Sequence, residues 1–174
     1  MKKFKVAGSV IGVLACIMGV YFYLCDDDGG LKLNLKKSDP VTTKEAETKI
    51  EKGFEAPVSS NVPEKYETMT EGELIQEVHN MTHQKVKADK KWGSSEITAD
   101  KIQLLYDVIK IKDFKKGNNK QMLLDILEPW KKKDFSNAVS AHNRIWSYQK
   151  GNIGKATRLL SPQEELEYIE KEFR

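Results

Sequence analysis

The three histidines of this chain are its best candidates for binding a metal ion or for catalysis. His79 and His83 are four residues apart, which places both on one face of a helix at a spacing that can hold a metal ion. Zinc-peptidase helices also carry a glutamate directly after the first histidine, and this chain has Asn80 there. His142 is the remaining candidate for a third ligand.

Ordinary packing explains the same histidines without a metal. One of His79 and His83 would then face solvent while the other forms a hydrogen bond at a helix contact. His142 lies in an apolar stripe beside Trp146 and would donate to a backbone carbonyl in the core. No nucleophile elbow, phosphate loop or nucleotide-binding fingerprint is present. We therefore predict no catalytic residue, no cofactor and no metal, and keep a metal site of His79, His83 and His142 as the alternative.

Two predicted helices carry these histidines. A capping box begins the first helix at Thr70, and apolar residues at helical spacing continue to about residues 88–92, so this helix contains the histidine pair. The second helix covers residues 135–149, where apolar residues recur at i, i+3, i+4 and i+7 around the third histidine. Gly151 has the position of a left-handed helix cap.

Further helices complete an all-α fold, a small bundle of about five helices over residues 64–174. One helix begins after Thr98, and a shorter one begins at Lys120 and is expected to stop before Pro129. The last begins at Ser161, where a capping serine, a proline at the first position and a glutamate at the third form a strong start signal. No strand is predicted in this domain.

Ahead of the domain, residues 6–25 form an uncharged apolar run that is long enough for a bilayer-spanning helix. Residues 1–5 are a basic tail, and three aspartates follow the run. Lysines near a span stay cytoplasmic, so we predict a single-pass signal anchor in the cell membrane, with an extracytoplasmic C-terminal domain. Bulky residues at its polar boundary argue against a cleaved signal peptide, and lipoprotein processing at Cys16 is the alternative.

Small residues line one face of the predicted span at spacings of four, three and four. Such a face lets two helices approach closely, which makes a homodimer through the membrane a hypothesis. The alternative is that glycine and alanine are simply common in spanning helices. The face consists of Gly8, Gly12, Ala15 and Gly19.

Residues 26–63 are predicted to be a flexible linker, because glycines and prolines interrupt regular structure and few apolar residues are present. The linker could contain a brief strand where apolar and polar residues alternate over residues 31–36, and a short helix over residues 42–52. Both cysteines, Cys16 and Cys25, lie in the apolar run, so the rest of the chain cannot form a disulfide or a thiolate zinc site.

Lysines next to tryptophans form a candidate basic surface. Such a surface could contact anionic lipid headgroups, wall polymers or an acidic protein face, although most lysine runs are only solvated. The net charge of +3 is too small to indicate nucleic acid. The candidate residues are Lys85, Lys87, Lys90, Lys91 and Trp92, together with Trp130, Lys131, Lys132 and Lys133.

Three short motifs resemble an uncharacterised helical family of membrane-anchored proteins from Bacillus-type Gram-positive bacteria. They are Met81-Thr82-His83-Gln84-Lys85-Val86, Lys91-Trp92-Gly93 and Ser161-Pro162-Gln163-Glu164-Glu165. The resemblance covers residues 65–173, implies a single-pass protein with no assigned activity, and transfers no functional residue.

These features predict a membrane-anchored protein that displays a small helical binding or regulatory domain, and they favour binding over catalysis. The expected partners are the lipid bilayer and another envelope or membrane protein. The alternative function is a metal-assisted hydrolase or a metal sensor that uses His79 and His83 with His142.

Overall fold

The computed structural model describes residues 41–115 and 117–174. In this part of the chain, seven helices and one two-stranded antiparallel sheet are present, so the all-α prediction is confirmed. The elements are α1 Thr43–Phe54, α2 Val62–Thr68, α3 Glu71–Thr82, β1 Val86–Lys87, α4 Ala99–Ile111, α5 Asn119–Trp130, α6 Ala138–Tyr148, β2 Arg158–Leu159 and α7 Pro162–Phe173.

The predicted membrane span over residues 6–25 lies outside the described residues, as do its small-residue face and the first part of the linker. Across 41–115 and 117–174, every helix is too short or too polar to cross a bilayer.

Capping side chains set the start of several helices. Thr70 accepts a hydrogen bond from the Glu73 backbone while the Glu73 side chain accepts one from the Thr70 backbone, as the sequence predicts for α3. The same reciprocal pair forms between Ser161 and Glu164 at the start of α7. Thr98 caps α4 by accepting from the Lys101 backbone.

The main core lies between α3, α4, α5 and α6. α4 packs against α5, and α3 packs against α6, so the two histidine-bearing helices are direct neighbours. Side chains that are almost completely buried fill the space between these helices. Their burial stabilises the fold by about 25 cal/mol for each Å² of apolar surface removed from water. They include Leu74, Ile75, Met81, Ile102, Leu105, Ile109, Leu123, Leu127, Trp130 and Ile145.

The domain begins earlier than the sequence predicts. Instead of a flexible linker up to residue 63, the chain forms α1, which packs against α7, and then α2, which packs against α4. Ala46 and Phe54 are buried on one face of α1, and the Phe54 ring contacts that of Phe135 edge-on at 6.0 Å between centroids. Tertiary packing therefore stabilises a helix whose own sequence carries few apolar residues.

α3 ends at Thr82, well before the predicted end near residues 88–92. The backbone N–H groups of His83, Gln84 and Lys85 bond three residues back, which tightens the last turn and breaks the helix. Val86 then pairs with Leu159 in the short sheet, a strand pairing that the sequence did not predict. As a result, His83 lies at the end of α3 rather than inside a longer helix.

Two helix ends in the second half of the chain also differ from expectation. α5 continues through Pro129 to Trp130, because a proline in the last turn removes only one hydrogen bond and Lys131 still bonds to Leu127. After α6, Lys150 adopts the left-handed conformation, with φ of 58°, in place of Gly151. Residue 151 must be glycine for a different reason, because any side chain there would clash with the ring of Trp146.

Replacing Phe54 with alanine should test whether α1 belongs to the domain. Because Phe54 is buried against Phe135, Phe54→Ala should lower the free energy of unfolding by about 2–4 kcal/mol in urea denaturation. Val41→Ala, at an exposed position just ahead of α1, is the control and should change it by less than about 0.5 kcal/mol. Equal effects of the two substitutions would contradict the packing of α1.

Candidate metal centre at the histidine cluster

The three histidines, which are all the histidines of the chain, converge in one cluster. One ring nitrogen of each lies within 4.8 Å of the other two. The ring centroids are 5.0 Å apart for His79 and His83, 4.6 Å for His79 and His142, and 5.2 Å for His83 and His142. All three residues are buried. The expectation that His79 or His83 faces solvent is therefore wrong.

The packing of α3 on α6 brings the cluster together. His79 lies in the last turn of α3 and His83 caps its end, so both rings project from the same end of the helix toward His142 on α6. The unpaired carbonyl groups at the end of a helix carry partial negative charge, which favours a cation there. The cluster therefore lies at a helix end whose dipole suits a positively charged ligand.

A backbone carbonyl fixes the proton position on His83. Its Nδ1 lies 2.8 Å from the carbonyl oxygen of Gly93, which can only accept, so Nδ1–H donates and Nε2 keeps its lone pair. Gly93 has φ of +80°, and a Cβ on it would lie 3.0 Å from Oδ1 of Asn80. The turn that presents this carbonyl therefore requires glycine.

A chain of side-chain amides fixes the proton position on His79. Gln76 donates to Oδ1 of Asn80 over 2.8 Å, and Gln149 donates to Oε1 of Gln76 over 2.9 Å. Oε1 of Gln149 is then the acceptor that faces Nδ1 of His79, at 2.7 Å. The lone pair of His79 is consequently on Nε2, the one buried side-chain polar atom without a hydrogen-bond partner in the described residues.

Two neighbours fix the proton position on His142. The carbonyl oxygen of Gly154 can only accept, so Nε2–H of His142 donates to it over 3.0 Å. The lone pair of His142 is then on Nδ1, which lies 2.9 Å from the hydroxyl oxygen of Thr82. Thr82 can also donate its hydroxyl proton to the carbonyl of His79 over 2.5 Å, and the Nδ1 lone pair is then available to a metal ion.

Burial keeps the three imidazoles neutral. Burial, together with the smaller effect of neighbouring imidazoles of the cluster, lowers the pKa of His83 to about 3 and that of His142 to about 4. Burial also lowers the pKa of His79, against the opposing effect of its hydrogen bond to Gln149. At neutral pH all three rings therefore have the unprotonated nitrogen that a metal ion needs.

The cluster lines a cavity of about 120 Å³. Its wall is built from polar side chains of the cluster and from apolar residues at the mouth, where Trp92 and Ile153 are exposed. No carboxylate is among the lining residues that the structure describes. They are Gln76, His79, His83, Lys90, Trp92, His142, Trp146, Gln149, Ile153 and Gly154.

A family model described as a family of unknown function, DUF6241, matches residues 78–170, which is more than half of the chain and contains all three histidines. The chain belongs to the DUF6241 family. Comparison with curated proteins and with solved structures gave no match. The prediction of an uncharacterised family is confirmed, whereas the membrane anchoring and bacterial source implied by the resemblance stay predictions.

The geometry of this DUF6241 chain suits a transition-metal ion. In a tetrahedral zinc site, Zn–N bonds of about 2.0–2.1 Å hold the nitrogens about 3.3 Å apart, so small ring rotations would close the present set around an ion. Metal-binding histidines usually donate their other N–H to a carbonyl or carboxylate, as His83 and His79 do here. Imidazole ligands favour zinc, copper, nickel and related ions over magnesium or calcium.

The candidate basic surface does not form a single patch in this DUF6241 domain. Trp130 is completely buried and donates its Nε1–H to Asn137, so it cannot contribute to a surface. Lys85 is mostly buried and pairs with Glu165 at 2.6 Å. Lys133 pairs with Glu51 of α1 and with Glu55, the residue that follows α1. The sequence showed the lysine runs but could not show that their partners come from distant segments.

Lys91 links the basic segment to the histidine cluster. Its ammonium donates to the carbonyl of His83 over 2.7 Å and lies 4.3 Å from the centre of the Tyr168 ring. Burial lowers the pKa of Lys91 to about 8. Of the remaining predicted surface residues, Lys87, Lys90, Trp92, Lys131 and Lys132 are exposed.

Sequence reasoning did not single out the residues that orient the histidines. Gln76 lies three residues before His79, on the same face of α3, and Gln149 lies seven residues after His142, on the same face of α6. A glutamine three or seven residues from a histidine, on the same helix face, is the sequence signal that could have indicated these partners. Nothing local in the sequence marks Gly93 and Gly154 as the carriers of the two acceptor carbonyls.

In metal-free protein, the free energy of unfolding should fall as the pH decreases from about 6.5 toward 4. The histidines of the unfolded chain take up protons near pH 6.5, whereas the buried imidazoles of the folded chain stay neutral. Each buried histidine therefore lowers the free energy of unfolding by about 1.4 kcal/mol for each pH unit below its unfolded pKa. Urea denaturation at pH 7.5, 6.0 and 5.0 with a chelator measures this slope. His83→Asn, which keeps a donor for Gly93, should make the slope shallower, and an unchanged slope would contradict a buried neutral His83.

Proposed function

We propose that this DUF6241 chain is a single-pass membrane protein whose helical domain binds a divalent transition-metal ion through His79, His83 and His142. The observation that carries the proposal is the convergence of three buried imidazoles, with one nitrogen of each within 4.8 Å of the others. The unpartnered Nε2 of His79 adds to it, because a buried polar atom without a partner costs about 1–3 kcal/mol. A metal ion would remove that cost.

The membrane part of the proposal rests on the sequence. The uncharged run over residues 6–25, lysines before it and aspartates after it support a cytoplasmic N-terminus and an extracytoplasmic domain. Since α1 begins at Thr43, only residues 26–42 are left to join the span to the domain.

Binding or sensing is a better match to the site than hydrolysis. A metal-assisted hydrolase usually places a carboxylate near the metal-bound water as a general base. The cavity lining within the described residues offers amides, tryptophans and one lysine instead. We therefore propose a metal-dependent binding or regulatory module, with another envelope or membrane protein as the partner that responds to metal occupancy.

The full chain in detergent, treated with a chelator and then titrated with Zn²⁺ in a calorimeter, should bind one ion per chain. His79→Gln and His83→Asn should each weaken this binding at least about tenfold, because each removes one ligand and retains an amide for the remaining hydrogen bonds. Arg144→Gln is the control, because Arg144 is exposed on α6 and pairs with Asp125 outside the cavity. Zinc binding that is undetectable, or equal in all four proteins, would refute the metal site.

The proposed topology can be measured with a single cysteine, added after Cys16 and Cys25 are replaced with serine. Ile111 is 80% exposed at the end of α4, so Ile111→Cys should react with a membrane-impermeant maleimide on intact cells. Lys3→Cys, in the proposed cytoplasmic tail, should react only after lysis. The reverse pattern would place the domain in the cytoplasm.

A further inference from the structure

The histidine cavity has a charge pattern that points to a second ligand. Three neutral imidazoles leave the full double charge of a bound divalent ion uncompensated. Lys90 is the one charged side chain among the described residues that line the cavity, and it is positive. The ammonium of Lys91 lies against the carbonyl of His83 and adds further positive charge nearby. A metal in this site would therefore favour a negatively charged partner.

The cavity also provides hydrogen-bond donors for such a partner. Each side-chain amide nitrogen carries two N–H groups, and those of Gln76 and Gln149 each use one in the chain that orients His79. The second N–H of each remains for a ligand. Nε1–H of Trp146, by contrast, is already donated to the carbonyl of Ile153 over 2.8 Å.

The size of the cavity limits the ligand. Its volume of about 120 Å³ admits only a small molecule. Trp92 and Ile153 contribute apolar surface at its mouth. A group with a few heavy atoms, such as a carboxylate or a phosphate, meets both the size and the charge requirement.

We infer that the metal keeps one coordination position open toward the cavity, and that a small oxyanion fills it beside the ammonium of Lys90. This inference rests on the proposed metal site, which supplies the three histidine ligands. Three protein ligands with an open fourth position are typical of zinc sites that exchange their ligand, whereas structural sites are closed by four. The domain would then bind the metal and the oxyanion together.

Cobalt(II) provides the test, because its visible absorption changes when an anion enters the coordination shell. The full chain in detergent is loaded with Co²⁺ and titrated separately with acetate and with phosphate. We expect a saturable spectral change with at least one of them, and the tighter of the two identifies a carboxylate or a phosphate as the preferred group. Lys90→Gln should weaken binding of the anion about fivefold, as expected for the loss of one partly exposed charge pair. The affinity for Co²⁺ should stay within about twofold of that of the unmodified chain.

Lys155→Gln is the matched control, since Lys155 is an exposed lysine next to Gly154 that does not line the cavity. It should bind the anion as the unmodified chain does. Cobalt binding without any spectral response to either anion would overturn this inference and leave the metal site intact. An equal anion affinity in Lys90→Gln and the unmodified chain would overturn the role of Lys90, and absence of cobalt binding would overturn both the metal site and the inference.

Discussion

The requirement that three imidazoles be buried without charge determines how the centre of this domain is built. Each neutral ring has one N–H that needs an acceptor and one lone pair that needs a donor or a cation. Gly93, Gln149 and Gly154 supply acceptors for His83, His79 and His142. The turn at residue 93 and the contact of α3 with the end of α6 bring these acceptors to the rings. The three lone pairs are left after every N–H of the rings has an acceptor, and that of His142 faces the Thr82 hydroxyl.

Local signals predicted most of the helices and none of their arrangement. The capping boxes at Thr70 and Ser161 are contained in four-residue segments, so the sequence alone identifies them. At α1 the sequence predicts a linker with at most a short helix over residues 42–52, because Ala46 and Phe54 are buried only by packing against distant segments such as α7 and Phe135. The histidine cluster could not be predicted for the same reason. Spacing places His79 and His83 together, but only the packing of α3 on α6 brings in His142.

The lysines show the same dependence on distant partners. In the sequence, runs such as Lys131–Lys133 look like one exposed basic surface. In the structure, several of these side chains contact aromatic rings or form ion pairs with carboxylates of other elements. Lys85 lies 4.0 Å from the centre of the Phe135 ring, and Lys131 lies 3.9 Å from that of Tyr106. Their aliphatic stems cover apolar surface while their charges are balanced nearby. These lysines therefore help to join separate elements of the domain.

The pairing of α1 with α7 has a mechanical consequence. The first and last helices of the described domain lie against each other, and Arg174 at the C-terminus forms an ion pair with Glu96 over 2.5 Å. Tension applied to the chain ahead of residue 41 would reach the contact of α1 with α7 before it reached the core around Trp130. α1 buries only two of its side chains, whereas α3 buries seven and α6 four. The contact of α1 with α7 is therefore the first that such tension would load, and the packing of α3 on α6 lies further along the chain.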